Sequence, residues 1–376
     1  MLDLKLVRDD PEGVKAALAK RGPGVADQVD RLLEADAVRR RLVTEVDALR
    51  AEQKRRGREV AKTAGAEERQ RLLAGLKELS ARLDEAEARL RAAEAALAEI
   101  QARMPNLPDP ATPAGGEEDA VELRRVGTPG EFDFAVRDHL ELGELLGAID
   151  TVRAAKVSGA RFGYLLGPGA LLELALVRLA MDRLTAAGFV PMIPPVLVRR
   201  EAMFGTGFLP TDEQQIFRTA DDDLYLAGTS EVPLVSYHSD ELLDPATLPR
   251  RYAGFSTCFR REAGSYGKDT RGIFRVHQFD KVEMFSFVEP SASRDEHERL
   301  LAIEEEILTA LGIPYRVVNI AVDDLGASAA KKYDCEAWLP GQQRYRELTS
   351  TSNTTDYQAR RLRCRLRPPG GGSPVP

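Results

Sequence analysis

The sequence predicts an α+β protein with an N-terminal antiparallel two-helix coiled-coil arm, followed by an antiparallel sheet domain flanked by helices. Three observations lead to this prediction. Apolar residues recur at heptad spacing within 27–103, a segment rich in proline and glycine follows at 104–120, and beyond it short β-rich runs alternate with helical patterns. A length of 376 residues also fits two or three domains of roughly 150 residues each.

Composition and charge exclude several classes of protein. Hydrophobic residues make up 43% and charged residues 30% of the chain, close to an ordinary globular protein. The sequence shows neither an apolar run of about 18 residues nor a leader pattern, so it predicts a cytoplasmic protein without a membrane partner. Cys258, Cys335 and Cys364 are too few for a disulfide framework. A net charge of −7 argues against a protein that binds nucleic acid over its whole surface, and DNA is not expected as a partner.

The first 103 residues predict one short helix and then the arm. Within residues 1–26, Asp9–Glu12 should begin a helix that Gly22-Pro23-Gly24 ends. Thr63–Ala66 should connect two long helices that fold back on each other. The predicted seam of the second helix has two series, Leu76, Leu83, Leu90 and Leu97 with the companions Leu72, Leu79, Ala86, Ala93 and Ile100.

A basic run lies close to the predicted turn of the arm. Residues 50–62 contain six basic and two acidic residues. Such a run is usually a solvated helix face. A purely structural coiled coil would spread its charge evenly, however, so the concentration near the tip favours contact with an anionic partner. The candidate residues are Lys54, Arg55, Arg56 and Arg58.

Residues 104–120 predict a linker, and 121–367 predict the sheet domain. Its expected strands include 225–227, 274–287 and 315–322, and its expected helices include 171–187 and 294–311. Residues 368–376 form a low-complexity tail.

The segment 257–287 carries the densest functional signal. Strand alternation would place Arg260 with Glu262 on one face, and it would place a second set on one face of the returning strand: Arg275, His277, Phe279, Lys281 and Glu283. Charged residues are rarely buried without partners, so this face should bind a ligand. Two arginines and an aromatic ring suit the phosphates and base of a nucleotide. The alternative is a salt-bridged pair of strands.

Other clusters are weaker on their own. Gly228–Glu231 could be only a capping box, and Tyr345–Ser350 could be an ordinary strand. The sequence contains no standard glycine-rich phosphate loop, which argues against the common nucleotide-binding folds. His277 with Cys258 lacks a third partner for nucleophilic catalysis.

Several segments together resemble the bacterial seryl-tRNA synthetases, which are class II aminoacyl-tRNA synthetases. Gly188–Val198, with Pro195, resembles motif 1, and the segments 259–262 and 275–279 resemble the two strands of motif 2. HQFDKVEMF, KKYDCEAWLP, RELTSTSN and DYQARRL resemble the seryl branch, as does the arm. The similarity runs from Met1 to about Arg367 and implies a class II catalytic domain.

The resemblance implies roles for individual residues. Arg260 would hold the ATP α-phosphate and Arg275 the γ-phosphate, and these two would be the catalytic residues. Phe279 would stack on adenine, and Glu262 would accept a hydrogen bond from the adenine amino group. The implied ATP-binding set is Arg260, Arg261, Glu262, Arg275, Val276, Phe279, Glu347, Leu348, Thr349 and Ser350, with Glu347 and Ser350 as Mg²⁺ ligands. The implied serine-binding set is Thr229, Ser230, Glu231 and Glu283.

The resemblance also implies partners. Residues 1–103 would form a tRNA-binding arm that reaches the long variable arm of tRNA-Ser, an RNA feature recognised by shape and backbone. The enzyme would activate serine with ATP, charge tRNA-Ser and also tRNA-Sec, and act as a homodimer through motif 1.

One departure and two alternatives belong to this interpretation. The family continues after Gln358–Arg361 with a strand and a helix called motif 3. In this sequence the low-complexity tail follows Arg367 instead. The resemblance therefore implies a catalytic domain that is incomplete at its C-terminus and an enzyme of impaired activity. The first alternative is a paralogue that binds tRNA but has lost catalysis. The second is a ligase that loads amino acids onto a carrier protein, although such relatives lack the arm.

Overall fold

The computed structural model describes residues 1–264, 271–367 and 372–376. Part of the predicted polar loop, at 265–270, and part of the predicted tail, at 368–371, therefore lie outside the described residues. The chain divides into two compact units, Leu2–Met104 and Pro105–Pro376, the second of which also includes Met1. No helix in the described ranges is long and apolar enough to cross a membrane.

The described residues form the following helices and strands. The helices are α1 (Leu4–Asp9), α2 (Pro11–Ala19), α3 (Asp27–Lys62), α4 (Ala66–Arg103), α5 (His139–Leu145), α6 (Thr151–Ser158), α7 (Pro168–Ala186), α8 (Arg200–Thr206), α9 (Glu231–Ser236), α10 (Ser293–Ala310) and α11 (Tyr357–Leu362). The strands are β1 (Val121–Val126), β2 (Ile149–Asp150), β3 (Tyr164–Leu165), β4 (Val190–Met192), β5 (Leu197–Arg199), β6 (Leu224–Leu226), β7 (Leu242–Leu243), β8 (Arg250–Phe259), β9 (Gln278–Phe287), β10 (Tyr315–Asn319), β11 (Lys331–Leu339), β12 (Arg344–Asn353) and β13 (Arg365–Leu366).

The start of the chain holds two short helices where the sequence predicted one. The side chain of Asp3 caps α1 by accepting a hydrogen bond from the Lys5 amide. Asp10 ends α1 and caps α2, with its Oδ1 3.0 Å from the Gly13 amide nitrogen. Because Pro11 lacks an N–H and disfavours helical geometry at the residue before it, the helix breaks at Asp10 and restarts.

The arm is an antiparallel pair of helices, as predicted. Residues 63–65 connect α3 to α4. Ion pairs join Arg50 to Glu87 at 2.9 Å and Arg89 to Glu45 at 2.5 Å, so positions advance along one helix as they retreat along the other. Val46 packs with seam residues of α4 in a small buried cluster, which confirms the heptad interpretation.

The larger unit is an α+β domain that contains two main sheets in its described part. One is antiparallel and has the order β1-β10-β11-β12. The other has the order β4-β8-β9, with β4 parallel to β8 and β8 antiparallel to β9 over ten residue pairs.

Helix α10 packs against both sheets. Leu301 and Leu308 lie in one buried cluster with Val317 of β10, and Leu300 and Ile303 lie in another cluster with residues of β8 and β9. An apolar stripe on one helix thus supports the inner side of both sheets. This arrangement confirms the predicted antiparallel sheet domain flanked by helices.

Candidate active site

The β8–β9 hairpin forms the floor of the site. Phe279, Lys281 and Glu283 alternate along β9 and so share one face. Glu283 pairs with Gly254 on β8. A Cβ at Gly254 would lie 2.9 Å from Leu234 Cδ1 and 3.2 Å from Ser230 Cβ, so glycine lets α9 approach the sheet closely.

The predicted alternation fails at the end of the hairpin. Strand β8 ends at Phe259 and β9 begins only at Gln278, so Arg260, Glu262, Arg275 and His277 lie outside the strands. Glu262 has a φ of +49°, which ends any extended geometry. The prediction that Arg260 and Glu262, or Arg275 and His277, share a strand face was therefore wrong.

His277 and Arg260 are nevertheless held together. The Arg260 amide donates to the His277 carbonyl at 2.9 Å, and His277 Nδ1 lies 2.9 Å from the Arg260 carbonyl oxygen. The imidazole ring contacts Phe162 and Phe217. Because a carbonyl can only accept, Nδ1 carries the proton in this contact. The ring thus fixes the backbone of Arg260.

The four side chains suited to a nucleotide form two pairs, Arg260 with Phe279 and Arg275 with Glu262. The Arg260 guanidinium carbon is 5.1 Å from the centre of the Phe279 ring, and Arg260 Nε donates to the Gly228 carbonyl at 3.1 Å. Arg275 Nη1 is 2.6 Å from Glu262 Oε2. Two cations, a carboxylate and an aromatic ring are therefore collected at the open end of the hairpin.

An acidic group lies further along β9. Glu283 Oε2 accepts hydrogen bonds from the Thr229 hydroxyl at 2.5 Å and from Lys281 Nζ at 2.6 Å. Glu231 Oε1 accepts from Gln358 Nε2 at 2.6 Å. Burial raises the pKa of Glu231, and the nearby charge of Glu283 raises it further. The group combines acceptors for an ammonium ion with a hydroxyl donor.

Ser230 differs from its neighbours Thr229 and Glu231. Its side chain is fully buried, and its Oγ lies 2.7 Å from Ser256 Oγ on β8. This contact joins the start of α9 to the hairpin, which helps to place Thr229 and Glu231.

A β-bulge in β12 determines which side chains share a face there. Glu347 pairs with Glu336, whereas Ser350 pairs with Asp334, so Leu348 is the extra residue. Because Glu336 and Asp334 are two residues apart on β11, their partners Glu347 and Ser350 point to the same face although they are three residues apart.

The opposite face of β12 turns toward α10. Thr349 Oγ1 donates to Glu304 Oε2 at 3.2 Å. Glu304 is buried, and this burial raises its pKa to about 8. Thr349, which the resemblance assigned to ATP, thus makes its side-chain contact with the helix beneath the sheet.

Glu347 and Ser350 offer two oxygen donors on one face of β12, which suits Mg²⁺ in the number and type of protein ligands. Mg²⁺ commonly takes one or two protein oxygen ligands and completes its shell with substrate phosphates and water. The described residues contain no cluster of three or more His, Cys, Asp or Glu that could hold a metal alone. Lys332 Nζ lies 3.5 Å from Glu347 Oε1 and 3.0 Å from Asp334 Oδ1, so Glu347 borders a buried ion pair. Burial raises the pKa of Asp334 to about 7.

The remaining predicted residues occupy distinct positions. Val276 is buried, Arg261 is exposed, and Leu348 is 51% exposed at the bulge. At the tip of the arm, Arg55 pairs with Glu52 at 2.7 Å and with Glu59 at 3.0 Å, and Arg56 pairs with Glu52 at 2.6 Å.

Lys54 and Arg58 are the other two predicted tip residues. Both are exposed, and the described residues offer neither of them an ion-pair partner. The solvated-face interpretation therefore suits Arg55 and Arg56 better than it suits Lys54 and Arg58.

Sequence reasoning missed three residues that touch the site. Gln358 reaches Glu231 across 127 positions, and Gln215 reaches Ala263 across 48, so no local pattern could reveal either contact. Lys332 belongs to the KKYDCEAWLP segment, where its charge beside Asp334 was an available signal.

The hairpin presents arginines, a glutamate and an aromatic ring beside an acidic group, which is the arrangement that the resemblance to class II aminoacyl-tRNA synthetases implies. In agreement, the family described as tRNA synthetase class II core domain (G, H, P, S and T) matches residues 215–369. The family described as Seryl-tRNA synthetase N-terminal domain matches residues 1–108.

Comparisons over the whole chain identify the family of class II synthetases to which it belongs. A serine–tRNA ligase of Nocardia farcinica is 58% identical over 371 residues, which span 99% of this chain and 88% of the relative. A seryl-tRNA synthetase from Pyrococcus horikoshii, solved in complex with ATP, matches with a TM-score of 0.93 and 42% identity over 100% of this chain and 89% of that one. This chain belongs to the seryl-tRNA synthetase family and is a ligase.

A more distant relative agrees. The cytoplasmic serine–tRNA ligase of Naegleria fowleri, solved with AMP, matches with a TM-score of 0.86 and 30% identity over 100% of this chain and 88% of that one. These full-length similarities do not favour the carrier-protein ligase or the inactive paralogue.

Proposed function

We propose that this chain joins serine to tRNA in two steps at the β8–β9 hairpin. In the first, a serine carboxylate oxygen attacks the α-phosphorus of ATP and pyrophosphate leaves, which yields seryl-adenylate. In the second, the 3′-terminal ribose hydroxyl of tRNA-Ser, or of tRNA-Sec, attacks the activated carbonyl and AMP leaves. The observation that carries this proposal is the placement of Arg260 and Phe279 next to the acidic group around Glu283.

Arg260 is the central catalytic residue in this proposal. Negative charge develops on the α-phosphate during attack, and a fixed cation there stabilises the transition state. The Gly228 carbonyl and the hydrogen bonds between His277 and the Arg260 backbone orient Arg260. Arg275 would exchange Glu262 for the γ-phosphate, which would free the Glu262 carboxylate to accept a hydrogen bond from the adenine amino group. Phe279 would stack on the base.

Three acidic or hydroxylic side chains would recognise serine. The ammonium group needs carboxylates, which Glu231 and Glu283 supply, and Thr229 donates to Glu283 and so orients it. Ser230 would support this pocket through its contact with Ser256. The serine hydroxyl also needs a hydrogen-bonding partner in this group, and a pocket built to pair a hydroxyl can reject an analogue that lacks it by roughly 10⁴-fold or more.

Glu347 and Ser350 would hold Mg²⁺. When bound, the ion would neutralise charge on the bridged phosphates of ATP. The chain's own contribution is the β-bulge at Leu348, which turns both oxygen ligands to one face of β12. Arg261, Val276, Leu348 and Thr349 would complete the ATP site through their backbone or their packing.

The arm would bind the long variable arm of tRNA-Ser. The described tip presents Lys54 and Arg58 without acidic partners, and Arg55 and Arg56 in ion pairs with Glu52 that phosphates can replace. Because phosphate contacts release counterions, this binding should depend strongly on salt concentration.

A second copy of the chain would cover the motif 1 surface. Ile193 is 87% exposed and Val190 is 55% exposed, and Leu171, Leu172 and Leu174 of α7 are between 60% and 68% exposed. Monomeric proteins rarely expose this many large apolar side chains in neighbouring elements. A homodimer with a two-fold axis would bury them.

Serine-dependent exchange between ATP and pyrophosphate tests the site. Glu283→Gln should raise the KM for serine by at least about tenfold, because it weakens the ammonium contact. Glu289→Gln, at an exposed glutamate just after β9, is the matched control and should leave the KM for serine unchanged. An unchanged KM for serine in Glu283→Gln would overturn the assignment of this pocket.

A further inference from the structure

Gln215 forms a clamp on the backbone that follows β8. Its Nε2 donates to the Ala263 carbonyl at 2.9 Å, and its Oε1 accepts from the Ala263 amide at 2.9 Å. Its own carbonyl accepts from the Arg261 amide at 2.9 Å. A single residue, at the end of the 3-10 turn Glu213–Gln215, thus makes three hydrogen bonds to the two residues that flank Glu262.

Glu262 is the residue that this clamp encloses. Its φ of +49° lies in the left-handed region, which is unfavourable for a residue with a side chain. Such a conformation persists only where the surroundings impose it, and it is concentrated at functional sites. Bonds at both Arg261 and Ala263 supply that constraint, since they fix the chain on either side of the unfavourable residue.

The clamp also determines where the Glu262 carboxylate lies. Glu262 is partly buried, and its Oε2 is 2.6 Å from Arg275 Nη1. A change in φ at Glu262 would move the whole side chain, because φ is the rotation about the N–Cα bond and Cβ is attached to Cα. The backbone bonds from Gln215 therefore control the direction of a side chain that Gln215 does not itself touch in the described contacts.

We propose that Gln215 is a positioning residue for adenine recognition, in that it holds Glu262 ready to accept the 6-amino group of ATP. This inference rests on the proposed role of Glu262 in the ATP site. It predicts a specific defect: loss of the clamp should weaken only the contact to the amino group and should leave the phosphate and ribose contacts intact.

The test compares ATP with purine riboside triphosphate, which lacks the 6-amino group, in serine-dependent pyrophosphate exchange. Gln215→Met keeps the side-chain volume but removes both amide hydrogen bonds, and Gln215→Ala serves as a second variant. Gln214→Ala is the matched control, because this neighbouring glutamine is exposed. Thermal unfolding of each variant, and direct calorimetric titration with ATP, accompany the kinetics.

The clamp predicts a KM effect rather than a general loss of activity. Both Gln215 variants should raise the KM for ATP by about tenfold, equivalent to about 1.4 kcal/mol, with kcat changed by less than about threefold. The KM for the analogue should change by less than about twofold, so that discrimination between the two nucleotides falls. Gln214→Ala should behave as the wild type.

Glu262→Met, which removes the acceptor at similar side-chain length, separates this inference from the proposed function. If Glu262→Met loses the discrimination and the Gln215 variants lose it too, the clamp is supported. If Glu262→Met loses it while the Gln215 variants keep it, the clamp inference is overturned and the role of Glu262 stands. If Glu262→Met keeps the discrimination, the adenine assignment is itself wrong and the inference falls with it. Equal KM increases for both nucleotides in the Gln215 variants would show a merely structural tether and would also overturn the inference.

Discussion

Changing Lys54 and Arg58 together to alanine should weaken binding of tRNA-Ser and reduce its dependence on salt. Both side chains are exposed near the turn of the arm, and neither has an acidic partner among the described residues. Each phosphate contact contributes about 0.7 to 0.9 to the slope of log K against log salt. Two lost contacts should therefore lower the magnitude of that slope by about 1.4 to 1.8. If the variant and the wild type bind equally at 1 M salt, the variant should then bind about 25- to 60-fold more weakly than the wild type at 0.1 M salt.

The structure ranks the neighbouring arginines lower. Arg55 and Arg56 already pair with Glu52, so their phosphate contacts must replace existing ion pairs. The double change of Arg55 and Arg56 to alanine should therefore weaken binding less than the double change of Lys54 and Arg58. The fourfold variant should combine both losses.

Filter binding or fluorescence anisotropy with tRNA-Ser, from 50 mM to 500 mM salt, measures these effects. Arg31→Ala with Arg41→Ala is the matched control, because it removes the same charge from exposed positions of α3 far from the turn. The control should lower the slope much less. If the tip and control variants lower it equally, the contact is not at the tip, and if neither lowers it, the basic run is only a solvated helix face.

Three further predictions concern the larger unit. His277→Asn keeps a hydrogen-bond donor for the Arg260 carbonyl, whereas His277→Leu removes it. The kcat of pyrophosphate exchange should therefore fall by about tenfold in the leucine variant and by less than about threefold in the asparagine variant. Burial raises the pKa of Glu304 from 4.5 to about 8, so the folded state keeps a proton that the unfolded state loses, and the free energy of unfolding should fall by up to about 1.4 kcal/mol per pH unit between those values. Glu304→Gln should reduce this fall in urea unfolding measured at pH 5 and pH 8, because Asp334 titrates in the same range, and a fall as large as in the wild type would contradict the prediction. Leu172→Asp with Leu174→Asp should halve the mass seen by light scattering, and an unchanged mass would place the dimer interface elsewhere.

Local sequence patterns predicted the two long helices of the arm better than the short helices that precede them. The seam of α4 follows from a seven-residue spacing that the sequence carries in full, and the turn follows from the interruption at 63–65. The extra helix α1 was missed because Asp10-Pro11 looked like a first N-terminus. The capping side chain of Asp3 was an equally local signal seven residues earlier.

Strand alternation predicted the middle of the site and failed at its end. Phe279 and Glu283 share a face of β9 because alternation holds inside a strand. Strand alternation does not apply to Glu262, because its left-handed φ depends on hydrogen bonds with Gln215. Gln215 is too distant in sequence for a short window to contain both residues.

The bulge in β12 shows the same limit. Glu347 and Ser350 are three residues apart, so plain alternation would place them on opposite faces. Only the pairing with β11 reveals that Leu348 is an inserted residue. The family resemblance could group these two residues, whereas periodicity alone could not.

ATP-dependent attachment of labelled serine to tRNA-Ser tests the central claim most directly. The measurement compares a transcript that carries the long variable arm with one in which that arm is shortened to a few nucleotides. We expect serine to be attached to the first transcript only when ATP is present, and much more slowly to the second. The absence of ATP-dependent attachment, or equal rates on both transcripts, would contradict the proposal that the hairpin activates serine and that the arm selects its tRNA.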